Sequence, residues 1–296
     1  MHADAWQELS ELPPSQHLVE HGDYLVIAAP GAEIPHLLEE LGRCRARTFQ
    51  AAGMGSEAEL DLDRYDPHYT QLLLIDREQR ALAGGYRLTR CRERIAEQGV
   101  EGIYNASLFD FDPTFVTALD GAIELGRSFV FPEYQRALRP LALLWSGVGA
   151  FIALEPGRDY VLFGAVSVPA TMSVASQASI LEHLRTHHFD AQLGQGVHGR
   201  TPPAFEIRPA APPRTLGELE RALRAADPNA HVPVLIKRYL QLGGRFVGFN
   251  EDADFGSSLD CLVWVDLRDT SPRRLRAYVG EQTQRVLQGV ELAVSA

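Results

Sequence analysis

Cysteine is scarce: Cys44, Cys91 and Cys261 stand far apart, with no CxxC pair among them. An odd, scattered set builds neither a disulfide framework nor a zinc site, so a reducing compartment is expected. Positive charge is also in deficit. The chain has 28 Lys and Arg against 39 Asp and Glu, a net charge of -11. Such a surface repels phosphate backbones, which argues against a nucleic-acid partner and against broad adsorption to anionic lipid. Long apolar runs are missing as well. The longest, Leu141 to Leu154, has 14 residues with Ser146 inside it. That is too short to span a bilayer and predicts a buried helix. Met1 to Ser10 carries Asp4 and Glu8 and no apolar core, so no signal peptide is expected. The expected location is cytoplasmic, with peripheral contact on the inner membrane as the alternative.

Familiar catalytic signatures are absent too. There is no P-loop, HExxH or GxSxG, and the lone GxGxxG, Gly194 to Gly199, runs into the proline-rich 200–213 stretch and does not open a helix, so dinucleotide, P-loop and zincin chemistries have no motif support. Only His187 and His188 are adjacent among the histidines, and helix neighbours point to different faces. No metal site is expected.

What remains is an ordinary globular composition, 45% hydrophobic, which supports a sizeable core over 296 residues. Apolar positions Ile34, Leu37, Leu38, Leu41, Cys44 and Phe49 have helical spacing, with Arg43, Arg45 and Arg47 largely on the other faces. An acidic loop follows, through Glu57, Glu59, Asp61, Asp63 and Asp66; it is read as solvated surface or as an acceptor-binding or capping loop, with Arg45 and Arg87 as candidate structural partners. Leu72–Ile75 and Ala81–Leu88 flank a polar turn and predict an antiparallel hairpin. Strands are predicted at 24–29, 123–131, 160–163, 245–249 and 261–267, and helices at 140–154, 173–187 and 232–242. Ser173 is the expected cap of the second of these helices, and Gly243-Gly244 the stop of the third. The order predicts one α/β domain over 1–296, a single mixed sheet with helices on both faces. Residues 200–213 are expected as a proline-rich insertion or linker and 281–296 as a C-terminal tail.

The stretch Glu124-Leu-Gly-Arg-Ser-Phe-Val130 is where chemistry is expected. Positions three apart in a strand face opposite sides unless a bulge intervenes, and Gly126 suggests one. A strand splayed there exposes backbone N–H groups to an acyl thioester, and Glu124 is placed to take a proton from an amine. The plainer alternative is a structural Glu124–Arg127 salt bridge.

Asp61-Leu-Asp-Arg-Tyr-Asp66, Gly85-Tyr-Arg-Leu88 and Glu124-Leu-Gly-Arg-Ser-Phe129 occur in that order, after Arg45 and Phe49 spaced RxxxF. This pattern resembles the acyl-homoserine lactone synthase branch of the GNAT superfamily. Gly102-Ile-Tyr-Asn-Ala-Ser-Leu-Phe-Asp110, Leu143-Leu-Trp145 with Gly147, and Pro233 to Gly243 with Asp254-Phe255 and Leu259-Asp260 are similar to the hemolysin-like N-acyltransferases. That group includes ornithine and glycine lipid synthases.

The resemblance implies a GNAT-like, mostly antiparallel sheet with splayed strands. It also implies transfer of a long-chain (3-hydroxy)acyl group from acyl carrier protein or coenzyme A to an amino acid's α-amino group, with no tightly bound cofactor. Ornithine is the example acceptor, and the step opens aminolipid synthesis. Glu124, Arg127 and Ser128 are then the expected catalytic residues. Arg45, Phe49, Asp61, Asp63, Asp66, Arg87, Phe129, Val130 and Trp145 are the expected substrate contacts, with Trp145, Phe129, Phe131 and Phe163 as acyl-tunnel liners.

The stretch Gln135-Arg-Ala-Leu-Arg-Pro140 lacks the glycines with which relatives cradle a pyrophosphate. Acyl carrier protein, with its single phosphodiester, therefore suits Arg136 and Arg139 better. Two rivals stay open: synthesis of an acyl-homoserine lactone or N-acyl amino acid signal, and a non-catalytic module that binds acyl carrier protein.

Overall fold

The computed structural model describes residues 1–137, 139–155, 158, 160–205 and 212–287 (backbone only beyond 280). Residues 206–211 of the expected insertion and 288–296 of the expected tail lie outside the described residues.

The elements in chain order are α1 (Ala3–Glu11), β1 (His17–His21), β2 (Tyr24–Pro30), α2 (Pro35–Ala51), β3 (Thr70–Asp76), β4 (Ala81–Arg90) and α3 (Cys91–Gln98). Next come β5 (Phe109–Phe111), α4 (Pro113–Ala118), β6 (Ala122–Val130), α5 (Arg139–Ala153), β7 (Val161–Val168) and α6 (Val174–His187). The last are β8 (Val197–Gly199), α7 (Leu216–Ala226), α8 (Val234–Gln241), β9 (Arg245–Asp252), β10 (Ser258–Asp266) and α9 (Pro272–Leu287). Eight strands form one sheet in the order β1-β2-β3-β4-β6-β7-β10-β9, and β5 pairs with β8. Every neighbour in the large sheet is antiparallel except β6 and β7.

Both faces of the sheet are covered, and side-chain parity shows how. Leu72 and Leu74 of β3 join Val26 and Ala28 of β2 in the core under α5. Leu73 and Ile75 join Leu25 and Ile27 in the core under α1 and α2. This two-sided burial explains the uninterrupted apolar run of β3. The predicted strands and helices are present, and Ser173 caps α6 by accepting from Ser176 N.

The periodicity left α1, α3, α7 and α9 unassigned. Each buries only two described side chains of a mostly polar sequence, such as Ala5 and Leu9 in α1. The 281–287 part of the expected tail continues α9.

Two features shape the centre of the sheet. First, β6 and β7 pair only at Ala122↔Val161, Ile123↔Leu162 and Glu124↔Phe163, and then part. A Cβ on Gly164 would lie 2.0 Å from Leu125 O. Only glycine tolerates that approach at the point where the strands fork. Second, β6 carries one residue more than β4 between the pairs Arg87↔Gly126 and Gly85↔Phe129. The expected bulge is there, but its left-handed residue is Arg127, at φ 48, not Gly126. A side chain in that region costs roughly 1–2 kcal/mol.

Candidate active site

The fork opens a cavity of about 560 Å³ that passes through the sheet. On one side its wall is Tyr86, Leu125, Val166, Ala230 and Tyr239, all members of the core under α5. On the other side it meets Phe49, Phe129, Tyr104, Arg127, Asp252 and Asp260. A cavity through a sheet lets two substrates approach from opposite faces and meet between the strands.

Asn105 holds the fork apart. Its Nδ2 donates to Glu124 Oε1 at 2.5 Å on β6, while its Oδ1 accepts from Ala165 N at 3.1 Å on β7. Glu124 is 1% exposed. Besides Asn105 Nδ2, it accepts from Asn105 N at 2.7 Å, from Tyr104 N at 3.1 Å and from the Tyr69 hydroxyl. Burial raises its carboxyl above the ordinary value, and the Tyr69 and Asn105 donors offset that only in part. Glu124 is not among the groups that line the cavity. The alternative Glu124–Arg127 salt bridge is replaced by other partners. The carboxylates that Arg127 contacts are Asp61, at 3.4 Å, and Asp63, at 3.2 Å. The bulge does bring both side chains to one residue: Arg127 Nη1 donates to the Tyr104 hydroxyl at 3.2 Å.

The acidic loop is not a solvated surface. Arg45 grips Asp66 through two bonds of 2.9 Å. Arg87 Nη1 reaches Asp63 at 2.6 Å and Asp66 at 3.2 Å. Arg45, expected on an outer face of its helix, is 1% exposed, as are Arg87 and Asp66. Burial works to raise the Asp66 carboxyl, but Arg87 and Arg45 outweigh it and bring it down to about 2.

The structure thus separates the expected site residues into two groups. Phe49, Arg127, Ser128, Phe129 and Val130 line the cavity. Arg45, Arg87, Asp61, Asp63 and Asp66 form a clasp beside it instead. Trp145 is also displaced from its expected place: it is 2% exposed and packs edge-on behind Tyr86 and Tyr239. Phe163 packs on Phe115 and Trp264, and Phe131 lies under the Arg47 guanidinium. Arg136 and Arg139 are exposed, next to Gln135, which does line the cavity.

Tyr104, Asn105, Ser167, Asp252 and Asp260, none of them an expected site residue, also line the cavity. One signal was available: Ser167 and Asp260 are polar residues set inside otherwise apolar strands.

Comparison with known proteins gives the following. The Acetyltransferase (GNAT) domain family matches residues 44–146. The chain is 34% identical over 169 residues to a glycine N(alpha)-acyltransferase of Bacteroides thetaiotaomicron, covering 53% of this chain and 50% of that protein. The chain spans about half the length of that relative and of its Phocaeicola vulgatus counterpart. It is 30% identical over 229 residues to an L-ornithine N(alpha)-acyltransferase of Rhodobacter capsulatus, covering 75% of this chain and 80% of that protein. Among solved structures, the AHL synthase LasI superposes with a TM-score of 0.45 at 13% identity, over 92% of this chain and 98% of that one. The forked, mostly antiparallel sheet and the match to four fifths of the ornithine relative agree, and the chain belongs to the GNAT family of amino-acid N(alpha)-acyltransferases.

Proposed function

We propose that this chain moves a long acyl chain from the thioester of acyl carrier protein to the α-amino group of an amino acid such as ornithine, the first step of an aminolipid synthesis. The observation that carries the reading is the cavity through the fork of β6 and β7. Its wall on the α5 side, with Leu125, Val166, Ala230 and Tyr239, is largely apolar and suits the pantetheine arm and acyl chain. Arg127, on the opposite side, is paired with Asp61 and Asp63 but keeps an Nε–H without a hydrogen-bond partner, a donor for the acceptor's carboxylate. Beyond Glu124↔Phe163 the two strands no longer pair, and backbone N–H groups on their facing edges polarise the thioester carbonyl. No covalent enzyme intermediate is required.

Glu124 is assigned a positioning role. It holds Tyr104 and Asn105, and through Asn105 the spacing of β6 and β7. Glu124→Gln keeps the shape but presents an amide donor to a site already filled with donors. It is expected to cost about 1–3 kcal/mol, read by thermal unfolding, and to lower turnover. Unchanged stability would return Glu124 to the role of a proton acceptor.

The test of the reading is direct. The purified chain is given acyl-carrier-protein and acyl-coenzyme A thioesters with a panel of amino acids, and products are identified by mass spectrometry. Lipids from an expressing host show whether the product enters a membrane aminolipid or leaves as a signal. The donor assignment predicts that Arg136→Glu with Arg139→Glu raises KM for the acyl-carrier-protein thioester about tenfold, or 1.4 kcal/mol, because like charges then meet at the docking face. Equal use of coenzyme A and carrier protein by the unaltered chain would remove the donor assignment.

A further inference from the structure

The three acids of the clasp are matched by its two arginines, Arg45 and Arg87, and by Arg127 from the cavity wall. Two cavity carboxylates, Asp252 and Asp260, have no such match: among the described residues, no ion pair joins either to a basic side chain. Their placement follows from strand register. Asp252 faces Ser258 and Asp260 faces Asn250, so the two acids are diagonal neighbours on one face of β9 and β10. Asp260 also sits opposite Ser167 of β7, whose Oγ donates to it at 2.6 Å. The exposures are 2% for Asp260 and 8% for Asp252. Asp252 accepts through Oδ1 from Asp254 N and Phe255 N, at 3.0 and 3.2 Å. Arg127 acts on both acids but is itself paired with Asp61 and Asp63, and a buried carboxylate with no ion-paired cation is costly: it either takes up a proton or awaits a positive ligand.

We propose that Asp260, with Asp252 beside it, forms the subsite that receives the acceptor's ammonium group, and that Asp260 takes the proton that frees the amine for attack. This rests on the acyl-transfer reading above. The Asp260 carboxylate removes one proton from the ammonium, and the neutral nitrogen then attacks the thioester carbonyl carbon. The C–N bond forms and the carbonyl π electrons move onto oxygen. On collapse the C–S bond breaks, and the thiolate leaves with a second proton from nitrogen. Amide and thiol result, and Asp260 returns its proton to solvent.

Burial pushes the Asp260 carboxyl up to about 7, with the Ser167 hydrogen bond opposing and the Asp252 charge adding. The charged and titratable groups that face it are Asp252 on β9, Arg127 on β6 and Tyr104 in the turn before β5. A base of this strength is competent when deprotonated, so turnover rises with pH toward about 7 and levels off above it.

The experiment measures pH profiles of kcat and of kcat/KM for the full chain and four variants, with thermal unfolding of each. Asp260→Asn is expected to lower kcat about 10²- to 10³-fold and to abolish the acid limb. It is also expected to leave stability at pH 8 intact or improved, because a buried charge is gone. Asp260→Glu should recover part of the rate. Ser167→Ala removes a bond that favours the carboxylate and should move the limb to higher pH. Glu124→Gln should lower turnover with the limb in place. A chain that transfers acyl groups while Asp260→Asn keeps both rate and limb overturns this inference and leaves the acyl-transfer reading standing. If Asp260→Asn does not fold, an unmoved limb in Ser167→Ala overturns it equally. A chain that transfers to no amine overturns both.

Discussion

Arg87→Leu is expected to destabilise the folded chain by about 3–5 kcal/mol, the cost of stripping one partner from a buried ion pair. Arg87 is 1% exposed, and its guanidinium lies 4.8 to 5.8 Å from the rings of Tyr104, Tyr69 and Tyr65. Leucine fills part of that space but leaves Asp63 and Asp66 short of a counter-charge. Arg45 still holds Asp66, which keeps the loss from being larger.

The same residues set a pH dependence. The Asp66 carboxyl is lowered in the folded chain to about 2 from an ordinary 3.8, so the unfolded chain binds its proton more readily. The contribution, about 2 kcal/mol, is therefore complete above pH 4 and lost as pH falls through 2. Arg87→Leu raises that carboxyl, so the acid-unfolding midpoint should move to higher pH. Urea unfolding at pH 7 and an acid titration followed by circular dichroism measure both effects. A loss under 1 kcal/mol would show that the clasp behaves as a surface pair.

Gly164→Ala is expected to be the next most damaging change. The added carbon lies 2.0 Å from Leu125 O and 3.1 Å from Leu125 C, both backbone atoms that cannot swing aside. β7 has to retreat from β6, which breaks the parallel pairing one step early at Glu124↔Phe163. The cost of such overpacking is about 3 kcal/mol or more. Asn105, which spans the fork, then loses its bond from Ala165 N. Hydrogen exchange at Ala165 should accelerate, and acyl transfer should fall with stability. Normal exchange at Ala165 in a folded Gly164→Ala chain would show that the fork does not depend on this contact.

The two predictions lie on elements that differ in how well the sequence declared them. β3 and β4 were readable from a polar turn between apolar runs, because a strand buried on both faces has to be apolar throughout. α5 was readable for the same reason. Arg87 was readable as the arginine of a G-x-R-L strand and as a candidate partner of the acidic loop; that it is buried depends on Asp63 and Asp66, which arrive from that loop 21 to 24 residues earlier. α1 and α9 escaped notice because burying two side chains leaves little periodic signal.

By itself the sequence determined the order of the central strands and of the helices α2, α5, α6 and α8, the bulge at Gly126 and the family to which the chain belongs. Those follow from local spacing and from motif order, which a linear chain displays directly. Tertiary structure alone decided which acids matter and how. Asp61, Asp63 and Asp66 look like a site in sequence and prove to be neutralised by Arg45, Arg87 and Arg127. Asp252 and Asp260 have no expected site role and prove to be buried carboxylates in the cavity wall that no basic side chain pairs with among the described residues, Arg127 acting on them only from a distance. A carboxylate's chemistry depends on the charges and solvent around it, and those come from strands and loops distant in the chain.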